Sequence, residues 1–501
     1  LQNQPQNESY NKLIYIMSNK IYNLLAASVI CAAASAQSLN SAYFMDGFTY
    51  RHQLNPAFAS ERNYVGFPVL SNINVGTQGN VGLANFLYPY NNQLTTFMHE
   101  SVDTKSFLDG LKGRNKVNAN VNLTFFSGGF QAWGGFNTID LNLRSNTNLT
   151  LPYELFEFMK AGQTSANTVY DMETIGMRTN NYIELAMGHS RQLTEKLRVG
   201  AKMKFLFGGA NAHLRIDDMK VVMSEDKWVV EGNGKLDASV AGLVVPTNGE
   251  NGKELDNPKK DVVDYDNIDF NTDNAGLSGF AMAFDFGATY KLRDDITLSA
   301  SVLDFGFISW KNTITAATSN EPWEFDGFHE IAIKSDMGSD DPNSIDTQAD
   351  KLVDELEGFT NLYRTGVDGK KAKMLGATLN IGAEYIFPYY DRLKFGFLSS
   401  TRIQGAYTWS EGRISANVVP LKWFEANVNY ALSSFGSSFG WLLNFHGKGA
   451  SFFIGSDYTI GKVNTQFIPL NNMNANVSLG FNITFGSKHK PIYKCVQVNS
   501  L

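Results

Sequence analysis

The last regular segment of the chain, residues 474–485, alternates apolar and polar side chains without a break. Ala475, Val477, Leu479, Phe481, Ile483 and Phe485 fall on one side of a strand, and Asn474, Asn476, Ser478, Gly480, Asn482 and Thr484 on the other. Successive strand residues point to opposite faces, so one surface is wholly apolar and its reverse small and polar. Such strands build either a sandwich, with a dry core between two sheets, or a barrel with lipid outside and water inside.

The N-terminal region decides between the two. Lys20 precedes an apolar run over 21–34 that ends at Ala34-Ser35-Ala36 before Gln37, the form of an export signal with its cleavage site. The run is too short to span a bilayer, and no later stretch approaches the roughly 18 uninterrupted apolar residues of a membrane helix. A closed barrel is the remaining way across. Residues 1–16 precede Met17 and fit no part of a signal, so translation is expected to begin at Met17. Removal of the signal takes Cys31 and leaves Cys495 alone, which rules out an internal disulfide and any thiolate metal site. Ile30 stands where a lipidated Cys31 would need a small residue. A net charge of -7 offers no basic face for nucleic acid.

Reading back from Phe485, alternating segments fall at 63–75, 116–126, 130–144, 182–190, 197–208, 277–290, 296–310, 373–387, 392–409, 412–419, 423–432, 439–445, 450–460 and 474–485. The expected fold is therefore all-β: a transmembrane antiparallel up-and-down β-barrel of about 14 strands, an even number, with long extracellular loops. A hairpin around Val221 to Val230 widens the range to 12–16. The connections sort by side. Tight turns at Ser127-Gly128-Gly129, Thr194-Glu195-Lys196, Arg293-Asp294-Asp295, Tyr389-Tyr390-Asp391 and His446-Gly447-Lys448 share the side of Phe485. Long runs after Val75, Arg144, Gly208 and Trp310 lie opposite. Short periplasmic turns and long outer loops are the asymmetry of a barrel in the bacterial outer membrane.

The polar face of these strands carries Glu184, Lys202, Lys204, Asp285, Glu384 and Glu425, charges that are solvated in a lumen and costly against lipid. Tyr290, Phe387, Tyr389 and Tyr390 at one end, and Trp310 and Trp409 at the other, are placed as interface belts.

Two resemblances follow. Asn55-Pro56-Ala57-Phe58, just before the first strand, resembles the Asn-Pro-Ala signature of the long-chain fatty acid transporter (FadL-like) barrels, which are similar in having fourteen strands. His189-Ser190, the 197–208 strand and Leu303-Asp304-Phe305-Gly306-Phe307 resemble an uncharacterised family of outer-membrane barrels from Bacteroidetes-type bacteria, a likeness that runs over nearly the whole mature chain. The first likeness implies that 37–62, with Tyr43, Phe44, Phe48, Tyr50 and Phe58, forms a plug or gate centred on Asn55, Pro56, Ala57 and Phe58. The aromatic-ended last strand resembles the segment read by the barrel assembly machinery, with Phe481, Ile483 and Phe485 as the signal. The organisation is then an extension and signal (1–36), a periplasmic segment or plug (37–62), the barrel (63–485) and a periplasmic tail (486–501).

In the outer loops, Asp261, Asp264, Asp266, Asp269 and Asp273, and again Asp336, Asp340, Asp341, Asp346 and Asp350, lack EF-hand spacing and read as solvated acidic runs. Leu155, Phe156, Phe158 and Met159, and Leu352, Val353, Leu356 and Phe359, have helical spacing and are expected to pack on one another. Scattered histidines and the lack of HExxH or GxSxG give no enzyme, no metal site and no cofactor. Besides outer-membrane lipid, the expected partner is a small hydrophobic ligand that the barrel transports. The alternative is a structural or assembly barrel that binds a protein through its outer loops.

Overall fold

In a bilayer a strand must give every backbone N–H and C=O to a neighbouring strand, and the chain meets that demand with a sheet closed on itself. The computed structural model describes residues 39–486, apart from 67–70, 92, 173–174, 253–257, 320, 328–343, 345–346, 349–350, 352–354, 356–358, 360 and 460–473. Among the described residues fourteen wall strands follow in chain order: β1 (Asn63–Gly66 and Asn72–Gly79), β2 (Arg114–Ala132), β3 (Gly135–Pro152), β4 (Ile175–Gln192), β5 (Leu197–Ser224), β6 (Gly279–Arg293) and β7 (Ile296–Ala317). They continue with β8 (Ala377–Ile386), β9 (Leu393–Ile403), β10 (Trp409–Leu421), β11 (Phe424–Ser433), β12 (Gly436–His446), β13 (Ser451–Ser456) and β14 (Ala475–Phe485). Each pairs antiparallel with the next. The ring closes where β14 meets β1, Asn63 opposite Phe485 and Ile73 opposite Leu479.

Alternation then turns the molecule inside out. Phe284, Phe305, Phe397, Ile414, Val428 and Val477 are exposed on the outer face, while Asn74, Asn122, Asn142, Asn380, Asn427 and Asn482 are buried on the inner one. Amides bonded to one another fill the interior, as between Asn427 and Asn417 (2.6 Å) and Asn476 and Asn74 (2.7 Å). The connections at the end where β14 finishes are short, and those at the other end are long and folded. There the helices Thr104–Asp109 and Tyr153–Ala161 pack together through Phe107 and Phe156, above the loop-end portions of β3, β4 and β5. Phe359 packs on the same cluster. Leu352, Val353 and Leu356, the second acidic run, the export signal, both cysteines and the tail beyond 486 lie outside the described residues.

Several local expectations fail for identifiable reasons. Ser127-Gly128-Gly129 is not a turn but part of β2; the hairpin closes six residues later at Trp133-Gly134, both with positive φ (54° and 73°) as a tight two-residue turn requires. The glycine at 129 serves a different need, since a Cβ there would overlap the Tyr64 ring. The 392–409 segment breaks at Gly405, and the 373–387 segment at Gly376, both with positive φ. Trp310 and Trp409 are no interface belt: both are buried inside the wall, because β7 continues to Ala317 and β10 begins at Trp409. The hairpin near 221–230 exists, but its second strand, Trp228–Val240, extends the wall beyond the loop end and adds no strand to the ring of fourteen.

Gly129→Val should therefore destabilise the barrel by about 1–3 kcal/mol through overpacking. Gly412→Val, where an added Cβ meets nothing within 4 Å, should be close to neutral. Urea unfolding of the vesicle-inserted protein measures both.

Candidate functional site

The lumen at the turn end is filled by the chain itself. Residues 39–58 enter it in two 3-10 turns, Asn40–Ala42 and Thr49–Gln53, followed by the Asn55-Pro56 corner. The side chain of Asn55 accepts from the backbone N–H of Ala57 (2.9 Å), which fixes the corner, and its amide donates to the carbonyl of Ala300 (3.2 Å). Two neighbouring wall groups, Ser301 Oγ (2.9 Å) and Asn380 Nδ2 (3.1 Å), donate to the Leu54 carbonyl. On the far side of the lumen, the N–H groups of Asn40 and Ser41 donate to the Asp457 carboxylate (both 2.7 Å), and Phe48 meets Phe453 edge to face at 4.7 Å. Tyr43, Phe44, Phe48 and Tyr50 are buried and Phe58 is half-buried.

Four wall glycines make this seat. A Cβ on Gly200 would overlap the Pro56 carbonyl, one on Gly287 would overlap the Asn55 side chain, and one on Gly396 would overlap the Phe44 ring. At Gly382 it would come within 2.8 Å of the Tyr43 ring. They lie on β5, β6, β8 and β9, on either side of β7.

The six charged residues singled out on the polar faces fall into separate ion-pair groups. Glu184, Lys204 and Asp285 converge: Lys204 lies 2.8 Å from Asp285, 2.6 Å from Asp304 and 3.8 Å from Glu184, with Arg144 3.2 Å from Glu184 and Arg402 3.5 Å from Asp304. Lys202 is elsewhere, 3.1 Å from Asp140, a carboxylate also met by His52 Nε2 (3.1 Å) and by the hydroxyl of Ser127 (2.6 Å). Burial, and then the Lys202 charge, push the His52 imidazole below its ordinary pKa, against the opposing pull of Asp140. Glu384 and Glu425 belong to a third group. Asp46 pairs with Arg51 and Lys394; Lys394 also lies 3.2 Å from Glu384, and the N–H of Gly47 donates to Glu425 (3.0 Å). Partial burial raises the Asp46 carboxyl, but Lys394 and then Arg51 outweigh it and hold the group below the ordinary carboxylate range. A fourth group was not foreseen: Arg413 between Glu411 (2.9 Å) and Asp457 (3.4 Å).

Asp304 was missed because strict alternation hides it. Phe284 pairs with Phe305 and Phe286 with Val302, so Leu303 and Asp304 together oppose Asp285 in a bulge. Asp304 takes φ 59°, donates its N–H to Asp285 (2.8 Å), and turns inward with Leu303. Beside it lies a cavity of about 80 Å³ bordered by Gln53, Asn120, Arg144, Lys204, Asp304 and Arg402. That is room for a few water molecules and well short of the roughly 300 Å³ of a small-ligand site. Toward the loop end the inner wall becomes apolar, with Leu206, Ala281, Ala283, Ile308, Trp310 and Leu375 buried together and Tyr182 against them. Phe481, Ile483 and Phe485 occupy the outer face of β14, next to the seam with β1. In the first acidic loop Asp264 accepts from Asn251 and Asn267, each at 2.8 Å.

A family model described as "Family of unknown function (DUF5723)" matches residues 56–457. Comparison with curated proteins finds no match. Solved structures with a similar course include the Ralstonia pickettii toluene transporter TbuX (8% identity, TM-score 0.39, 87% of this chain and 94% of that one). The Pseudomonas putida toluene transporter TodX (10%, 0.37, 90% and 94%) and a Pseudomonas aeruginosa FadL homologue (9%, 0.32, 90% and 100%) are others. At these identities and scores the likeness is remote.

Gly200→Val or Gly287→Val should unseat residues 39–58 while the wall persists, shifting the seated–unseated balance by about tenfold or more. Single-channel conductance should rise for both and stay at the wild-type level for Gly412→Val. The Asp46 contacts, with a depressed carboxyl, are fully present above the unfolded pKa of about 4 and are lost only as pH falls below it. Asp46→Asn should therefore raise conductance at pH 7.

Proposed function

We propose that this chain, which belongs to the DUF5723 family, is an outer-membrane barrel that passes a small hydrophobic molecule and is closed by residues 39–58 as a plug. The observation that carries this reading is the coexistence of a seated N-terminal segment, with a polar cavity of about 80 Å³ beside it, and an apolar inner wall at Leu206, Ile308, Trp310 and Leu375. An open pore for water-soluble solutes has use for neither. The apolar side chains are packed on one another, so a hydrophobic molecule entering from the loop end must part them, and the plug must shift before anything continues.

On this reading the turn end, where the N-terminal segment enters, faces the periplasm, and the folded loops face outward. Residues 37–62 form the lead-in and plug, with Asn55, Pro56, Ala57 and Phe58 as its hinge against the wall. Residues 63–485 form the barrel, 1–36 the removed leader and 486–501 the tail. Phe481, Ile483 and Phe485, outward on the closing strand, are the surface offered to the assembly machinery. A second reading, a barrel that docks a protein through its outer loops, is favoured by Val244, Tyr265, Ile268 and Phe270, which stand exposed within one loop.

Protein purified from outer membranes in mild detergent, followed by native mass spectrometry and lipid extraction, tests the reading. The wild type should carry a small apolar molecule that Ile308→Asn loses. A wild type with no such molecule, or one retained unchanged by Ile308→Asn, overturns transport, and a stoichiometric protein in its place favours the docking barrel.

A further inference from the structure

The lipid-facing wall is not evenly filled. Along β8 to β11 its outward positions are large, with Tyr385, Phe395, Phe397, Ile414, Val428 and Tyr430 exposed. Two outward positions that line the groove are alanines. Ala383 stands opposite Phe397, and Ala416 opposite both Phe395 and Val428. The shortfall leaves an apolar groove of about 670 Å³ running obliquely from Ile296 and Tyr385 near the turn end to Tyr430 and Phe439 nearer the loop end. That volume lies inside the range of about 300–1,000 Å³ typical of small-molecule sites. At membrane depth such a groove is filled by hydrocarbon.

The turn end of the groove is chemically different. Phe395 in the groove reaches Phe387 at 6.3 Å, and Phe387 reaches Tyr389 at 5.5 Å. The turns that join β8 to β9 and β10 to β11 expose Tyr389, Arg392, Lys422 and Trp423. Arg392 ties the two turns together by donating through Nη1 to the Pro420 carbonyl (3.1 Å), which fixes its guanidinium at the turn end between β9 and β10. Among the described residues of these turns Asp391 is the one carboxylate, so the edge carries net positive charge. Exposed aromatics beside exposed cations are the composition of a head-group interface.

We propose that this face binds one anionic phospholipid at a fixed place, an acyl chain in the groove floored by Ala383 and Ala416 and the phosphate against Arg392 and Lys422. Charge favours a lipid over a second copy of the chain. A two-fold contact centred on the groove presents the same patch from both sides and sets Arg392 and Lys422 against their own equivalents. The site lies outside the lumen and is independent of what the barrel transports.

The full chain in mild detergent, titrated with 16-carbon phosphatidylglycerol or phosphatidylcholine and followed by native mass spectrometry, tests the proposal. The wild type should retain one phosphatidylglycerol. Arg392→Gln with Lys422→Gln, both on exposed turns, should weaken that lipid by about tenfold or more and bring it level with phosphatidylcholine. Ala383→Phe with Ala416→Phe should abolish retention of either lipid, with heat-modified mobility in gels reporting that the barrel still forms. Ile308→Asn should keep the lipid, which separates this site from the lumen. Equal retention of both lipids by the wild type, an unchanged affinity in the double glutamine variant, or a dimer in place of the lipid overturns it.

Discussion

The pairing of Ala475–Phe485 with Asn63–Gly66 and Asn72–Gly79 is the contact on which the remainder depends. Without it the sheet has two edges, and unpaired backbone groups in hydrocarbon cost several kcal/mol each. With it the strands can give their backbone wholly to one another and leave the side chains to answer two solvents. Lipid takes the phenylalanines, isoleucines and valines. The interior, too narrow to be a wide channel once residues 39–58 enter, must satisfy polar side chains with one another.

That requirement explains the lumen. A buried charge without a partner is far more costly than one paired and hydrogen-bonded, and the charges here come in sets. Lys204 sits among three carboxylates with Arg144 and Arg402 close by, and Asp140 among Lys202, His52 and Ser127. Each set uses residues from strands far apart in the chain. The N-terminal segment takes part directly: His52, Asp46 and the Ser41 N–H are each partners that a wall charge would otherwise lack.

Sequence periodicity made the barrel legible, because lipid on one side and water on the other write the same alternation into nearly every strand, as in Ala475–Phe485 and Gly279–Arg293. It also located Glu184, Lys202, Lys204, Asp285, Glu384 and Glu425 on polar faces, since alternation fixes which side a residue takes. It gave no account of which charges meet. Asp304 was hidden because a bulge places two successive residues inward, and the tight hairpin at Trp133-Gly134 because Gly128-Gly129 is the stronger turn pattern locally. The resemblance to a barrel family without an established function agrees with the family match over 56–457. Gly200, Gly287, Gly382 and Gly396 show the deeper limit. Each glycine is unremarked in its own strand, and its reason lies in a segment more than a hundred residues away.

Wall and N-terminal segment are held by forces of different kind. The wall is held by continuous backbone ladders with no substitute partner in lipid, so a strand cannot leave without stranding its hydrogen-bonding groups. Residues 39–58 are held by side chains, by the Asn55 corner and by fit against glycines, and they face a lumen where water can replace each lost polar contact. Unseating them exchanges one set of hydrogen bonds for another, with the loss confined to aromatic burial at Tyr43, Phe44 and Phe48 and to the paired charges. Unseating residues 39–58 therefore requires no break in the backbone ladders of the wall, which is what the proposed role as a plug needs.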